Sequence, residues 1–259
     1  MIEINLKDLS PEHQGIFKVN ESDFYYNIFI KRHHHKSLFV FFQGAVDKSK
    51  AQPNFQRISW SEKIPANIVI FSDPTVDNNS LTIGWSQHSP KVNYFYRTAE
   101  LIKKYALSID VEEDNVFLYG SSAGGFTALM VAAYFTNATV IVNNPQTDWT
   151  LFYKNKVTEV LNSIYGNMEL SEYKANFPNR FNISVVYKNI GRVPRLFYMQ
   201  NIDDDFHYKN HFLPFFDFIT KSKIHITSFN PILYTAPIEG HSPRGMEDTL
   251  KILNMAMLK

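Results

Sequence analysis

No cysteine occurs in the 259 residues. That excludes disulfides, a thiolate nucleophile and a zinc–thiolate centre, and it fits a reducing compartment. An excess of charge is also missing: 26 basic residues against 25 acidic ones give +1, with a pI near 7.9. Such a balance provides no bulk attraction to nucleic acid or to an anionic membrane surface. No apolar run approaches the roughly 20 residues that span a bilayer. The N-terminus, Met1-Ile2-Glu3-Ile4, lacks the basic-then-apolar pattern of a signal peptide. A cytoplasmic location with no transmembrane segment is therefore expected. No repeat, low-complexity tract or linker divides the chain, so residues 1–259 read as a single domain.

What is present is apolar and aromatic. At 44% hydrophobic, the chain can bury a large core. Its 22 Phe and 14 Tyr belong mostly to that core, although aromatics at a cleft would suit a carbohydrate or another extended amphipathic ligand. Nearly continuous apolar runs at 37–43, 66–71, 115–120, 138–142, 192–200 and 223–229 read as strands covered on both faces. Residues 1–30 read as one or two leading strands, best at 24–30. Helical spacing occupies 93–107, 124–134 and 246–255, the second apolar all round and hence buried. Strands alternating with helices predict a mostly parallel central sheet with helices on both faces. Residues 146–190, rich in Tyr, Asn and Lys, break that rhythm. They are expected to form a helical lid-like insertion over the carboxyl edge of the sheet, a long irregular excursion being the alternative.

Gly120-Ser121-Ser122-Ala123-Gly124 matches G-x-S-x-G, and it sits where that pattern has meaning, between an apolar strand and an apolar helix. The nucleophile of such a turn needs small neighbours, which assigns Ser122 the attack. Ala123 would then offer its backbone N–H to the developing oxyanion at the helix start. A phosphate-binding glycine loop is the competing explanation, but no G-x-G-x-x-G is present and the turn does not follow the first strand. Ser121 occupies the variable position.

A serine hydroxyl needs a base, and the base needs a partner that fixes its tautomer. In this fold the chain order is serine, acid, histidine. His13, His33, His34, His35 and His88 precede the serine; His207, His211, His225 and His241 follow it. His241, in the shaped loop Gly240-His241-Ser242-Pro243 before the last helix, is the expected base. The acid should follow the strand that ends at Gln200, where Asp203, Asp204 and Asp205 all qualify and strand alternation no longer chooses. The second oxyanion donor should come from Gly44 or Ala45, after the first firm strand. His207 and His211 are four apart, yet no further well-spaced ligands accompany them, and the run His33–His35 precedes a buried strand as a solvated turn would. No metal site is expected.

With those pieces in hand, the chain resembles a branch of the α/β-hydrolase superfamily that acts on bacterial surface glycans. That branch includes capsule polysaccharide O-acetyltransferases and the acetyltransferase-like component of the accessory secretion system. The likeness rests on Phe41-Phe42-Gln43-Gly44, Phe71-Ser72-Asp73-Pro74 with Ile83-Gly84-Trp85, Tyr119 to Gly125, and Tyr198 to His207, completed by Gly240-His241. It implies Asp204 as the acid, three residues after Asn201, with Asp203 and Asp205 leaving the register open by one. Gln43, Trp85, Asn201 and His207 become candidate substrate contacts. The resemblance further implies transfer of acetyl from acetyl-CoA, as co-substrate, to a glycan hydroxyl through an acetyl-serine, with no tightly bound cofactor. No short CoA motif is present, and Lys154, Lys156 and Arg195 are candidates for its phosphates. A carboxylesterase or carbohydrate deacetylase using water is the main alternative. A peptidase and a catalytically silent partner in glycan assembly or secretion stand behind it.

Overall fold

A computed structural model describes residues 1–47, 49, 51–77 and 80–258. Its strands are β1 (Ile2–Asn5), β2 (Gly15–Glu21), β3 (Phe24–Lys31), β4 (Leu38–Phe42), β5 (Asn67–Phe71), β6 (Val116–Ser121), β7 (Thr139–Asn143), β8 (Arg192–Asn201) and β9 (His225–Tyr234). They form one sheet in the order β1-β2-β3-β5-β4-β6-β7-β8-β9. From β5 to β9 every pair is parallel, while β2 and β3 add an antiparallel edge. This is the mostly parallel, α/β-hydrolase-like sheet that the alternation of elements predicts.

The helices are α1 (Pro74–Asp77), α2 (Tyr94–Ser108), α3 (Ser122–Ala132), α4 (Lys154–Tyr165), α5 (Leu170–Asn176), α6 (Ile183–Ile190), α7 (Asp205–His207), α8 (Leu213–Lys221) and α9 (Met246–Met257). Every residue of β4, β5, β6 and β7 is buried. Alternate side chains explain this. Leu38, Val40 and Phe42 face a core shared with α2, α3 and α6, whereas Phe39 and Phe41 face a second core closed by Leu253 and Ala256 of α9. A parallel strand covered on both faces has no polar side to reveal, hence the unbroken apolar runs.

Three boundaries differ from expectation. The N-terminal region holds three strands; β1 is only four residues long and mostly exposed, so it has no apolar pattern to read. α3 begins at Ser122, because the serine turn is itself the first turn of the helix. β9 continues to Tyr234 through Pro231, which pairs with Tyr198. As the last strand of the sheet, β9 has an open side on which a missing N–H breaks no ladder. Between β7 and β8, the segment expected as an insertion contains α4, α5 and α6, with α6 packed on α3 and α8. No described helix is long and apolar enough to cross a membrane.

Candidate active site

Ser122 stands at the carboxyl end of β6 with φ 53°, a left-handed conformation that a non-glycine residue holds at a cost of about 1–3 kcal/mol. The turn is as tight as two glycines permit. A Cβ on Gly120 would lie 2.1 Å from Gly124 O, and one on Gly124 would lie 2.3 Å from Phe42 O. The N–H of Ala123 belongs to the first turn of α3, where it has no intrahelical acceptor. Opposite it runs the loop after β4. Gln56 grips that loop with both ends of its amide: Oε1 accepts from Gly44 N–H (2.9 Å) and Nε2 donates to Ala45 O (2.7 Å). Gly44 N–H is thereby occupied, which leaves Ala45 N–H as the free donor of the pair among the described residues.

The three aspartates after β8 have three different partners. Asp205 is exposed and pairs with Lys209 at 2.8 Å. Asp203 Oδ2 accepts from Ala236 N–H at 2.8 Å. Only Asp204 turns inward, with Oδ2 2.7 Å from His241 Nδ1 and Oδ1 3.0 Å from His207 Nδ1. Two imidazoles thus share one carboxylate, and their rings stack at 3.6 Å between centroids and 11° between planes. Burial by itself would raise the Asp204 carboxyl, but the hydrogen bonds from His207 and His241 outweigh it and hold the group well below the usual carboxylate range. Burial pushes His207 down, and it pushes His211 down to about 3. Both are therefore neutral near pH 7.

Gln146, which sequence reasoning passed over, binds the centre together. Its Nε2 lies 3.0 Å from Ser122 Oγ and 2.8 Å from His207 Nε2, while its Oε1 accepts from the Trp85 indole N–H at 3.1 Å. An amide N–H facing His207 Nε2 makes that nitrogen the acceptor, so the ring donates from Nδ1 to Asp204. Among the described residues His241 Nε2 has no hydrogen-bond partner, and Ser122 Oγ bonds to Gln146 instead. Loose serine–histidine geometry is common before substrate binds. The one available signal for Gln146 was its place just beyond the carboxyl end of β7, where functional side chains of parallel sheets collect.

The candidate substrate contacts occupy another layer. Gln43, Trp85, Asn201 and His207 are all buried, and none lines the cleft above Ser122. Gln43 Oε1 accepts from Ser72 Oγ at 2.8 Å, and Trp85 stacks on Trp149 with centroids 5.1 Å apart. Asn201 Nδ2 donates to Ala236 O (2.9 Å) and Gly240 O (2.7 Å), which pins the loop just ahead of His241. Asp204, His207 and His241 put three ligand-type atoms within 4.8 Å of one another. Both Nδ1 atoms are already spent on the carboxylate, so a cation would have to replace those bonds. His211 and the His33–His35 run contribute nothing to this group. Of the lysines and arginine considered for phosphates, Lys156 pairs with Glu159 and Arg195 binds the carbonyls of Ala256 and Leu258.

The cleft over Ser122 has a volume of about 520 Å³. Its walls are Gly44 and Ala45, the Gln56–Trp60 segment, and the Glu239–Pro243 loop; no residue of 147–190 lines it.

A model of the prolyl oligopeptidase family matches residues 90–253, a span that contains Ser122, Asp204 and His241. Among solved structures, a variant of the capsule O-acetyltransferase of Neisseria meningitidis serogroup A in complex with CoA superposes with a TM-score of 0.70 at 14% identity, covering 98% of this chain and 100% of that one. A glycosylation-associated protein (Gap123) complex from Streptococcus agalactiae gives 0.58 at 14% identity, over 89% of this chain and 43% of that one. A putative carboxylesterase from Lactobacillus plantarum gives 0.60 at 12% identity, over 94% and 97%. A search of curated proteins gave no match.

Proposed function

Because the chain belongs to the prolyl oligopeptidase family of serine α/β-hydrolases, we propose that it is an O-acetyltransferase with Ser122 as nucleophile, His241 as base and Asp204 as acid. It moves acetyl from acetyl-CoA to a hydroxyl of a bacterial surface polysaccharide, in the cytoplasm, where that donor is made. The observation that carries the chemistry is the elbow at Ser122, which lines one cleft together with Ala45 and with His241, itself hydrogen-bonded to Asp204. The choice of transferase is supported by end-to-end likeness to a capsule O-acetyltransferase seen with CoA.

In the reaction, the Ser122 hydroxyl turns from Gln146 to His241 Nε2, a buried nitrogen with no partner among the described residues. His241 takes the proton as Oγ attacks the thioester carbon. The carbonyl oxygen, now negative, lies between the Ala123 and Ala45 N–H groups, the kind of donor pair whose members are each worth about 3–4 kcal/mol to the transition state. The C–S bond breaks and the thiol leaves with the proton from His241. A glycan hydroxyl then gives its proton to His241 as it attacks the acetyl-serine, and His241 passes that proton to Ser122 Oγ as the C–Oγ bond of the second tetrahedral adduct breaks. Asp204 holds His241 in the Nδ1–H tautomer throughout.

Labelled acetyl-CoA, with and without capsular oligosaccharide, tests this. Acetyl should appear on Ser122 and then on the glycan. Release of CoA and acetate that glycan neither speeds nor diverts would instead establish the esterase, which the likeness to a putative carboxylesterase favours as the second reading.

A further inference from the structure

One charged side chain in the cleft has no role in the scheme above. Arg57 lines the wall beside Ser122. Its backbone has φ 68°, left-handed like that of Ser122 itself. The guanidinium lies 5.3 Å from the Trp60 ring centroid and 5.1 Å from that of Tyr119, and its Nη2 donates to Ser121 Oγ at 2.6 Å. That is one hydrogen bond for a group with five N–H donors. Nε is buried without a partner. No carboxylate lies within 4 Å of Arg57 among the described residues, whereas Arg97 and Arg244 each have an acidic partner. The acidic residue of the opposite wall, Glu239, faces Arg244 at 3.9 Å. Arg57 is thus a cation flattened against aromatic faces, wedged next to the nucleophile and left without its counter-charge.

A planar guanidinium fixed in this way matches two oxygens of one phosphate far better than it matches water. We propose that Arg57 is the phosphate-recognition residue of the cleft, and that the substrate engaged beside Ser122 carries a phosphate group. Two sources share that chemistry: the phosphates of the CoA portion of the donor, and a phosphodiester of the acceptor glycan. The proposal rests on Ser122 being the nucleophile of this cleft, but not on acetyl-CoA being the donor. Neighbouring residues fit the role. Gln56, one residue earlier, braces the loop that carries Ala45, so a phosphate seated on Arg57 is held in register with the oxyanion donors.

Calorimetric titration reads this without turnover. The probes are CoA with pantetheine as its uncharged counterpart, 3′,5′-ADP with adenosine, and a hexose 1-phosphate with the free hexose. They are titrated into wild type, Arg57→Met and Arg57→Lys, with thermal melts to verify the fold. The phosphate-bearing probe of one pair should bind tighter than its uncharged counterpart, weaken about tenfold or more in Arg57→Met, recover in part in Arg57→Lys, and weaken with added salt. Response in the CoA arm assigns the phosphate to the donor, and response in the hexose arm assigns it to the acceptor. Phosphate-bearing probes that bind no better than uncharged ones, or equal losses for both in Arg57→Met, would overturn the proposal. Acetyl-CoA turnover, measured separately, reports whether the transferase reading itself has failed.

Discussion

Asn201 offers the sharpest test of how the site is held. Its amide makes four hydrogen bonds: Nδ2 to Ala236 O and Gly240 O, and Oδ1 from the N–H groups of Ala236 and Asp203. In Asn201→Ala not all four partners are stranded. Ala236 N–H still reaches Asp203 Oδ2, and Ala236 O still accepts from Glu239 and Gly240 N–H. Gly240 O and Asp203 N–H are the groups left without a recorded bond. Asp203 is exposed and Gly240 half-buried, so water takes up part of what is lost, and the change should cost about 1–3 kcal/mol. In a chain of this size, that lowers the melting temperature by about 2–12 °C. Gly240 precedes His241, so slackening there also displaces the proposed base, and kcat should fall by about tenfold, the equivalent of about 1.4 kcal/mol. Asn201→Asp should be worse, because a carboxylate would face two carbonyls it cannot serve. Scanning calorimetry and turnover of a small acetyl ester measure both effects. An unchanged melting temperature together with unchanged kcat in Asn201→Ala would refute the claim that this amide anchors the His241 loop.

Three other outcomes are expected. Ser122→Ala should lower kcat by about 10⁴-fold or more while leaving thermal stability intact, and retained activity would remove Ser122 from the mechanism. Gly124→Ala drives a methyl against Phe42 O at the heart of the elbow; urea unfolding should show a loss of about 1–3 kcal/mol, and a midpoint equal to wild type would contradict the packing described. Asp77 is raised to about 6, because burial outweighs its bonds from Ser72 and Asn27. A carboxyl raised on folding keeps its full contribution below the unfolded value near 4 and loses it as pH rises toward about 6. Asp77→Asn should therefore flatten the fall in urea midpoint between those limits, and a fall as steep as in wild type would exclude Asp77 as its source.

The serine turn was legible because everything that defines it is local: two glycines at fixed offsets, a strand before and a helix after. Chain order singled out His241, and the fold sets it against Asp204. Asp204 needed more than its own neighbourhood, since three adjacent carboxylates differ only in what the fold brings to each: a lysine, a backbone N–H, or two imidazoles. Gln146 and Arg57 were invisible for a related reason. Gln146 meets Trp85 and His207 across 61 residues in either direction, and Arg57 meets Ser121 across 64. Neither sits in a pattern that local spacing reveals. Asn201 and Trp85 were noticed for the right segments, yet as surfaces for substrate. Their burial makes them struts, a distinction that depends on side-chain exposure and not on residue type.

The two-ended grip of Gln56 has a consequence for how such an enzyme can diversify. The loop bearing Ala45 and the segment bearing Arg57 are not independent cassettes, for one amide clips them together across 11 and 12 residues. Because Gln56 holds main-chain groups, a chimera that imports residues 44–46 with another backbone path misaligns the N–H and C=O it grips, and one that imports 56–60 without a glutamine at 56 loosens the loop at 44–45 that it was meant to leave untouched. Grafts of new substrate preference onto this scaffold should travel as the whole stretch from 44 to 60, with the nine-stranded frame beneath left as it is.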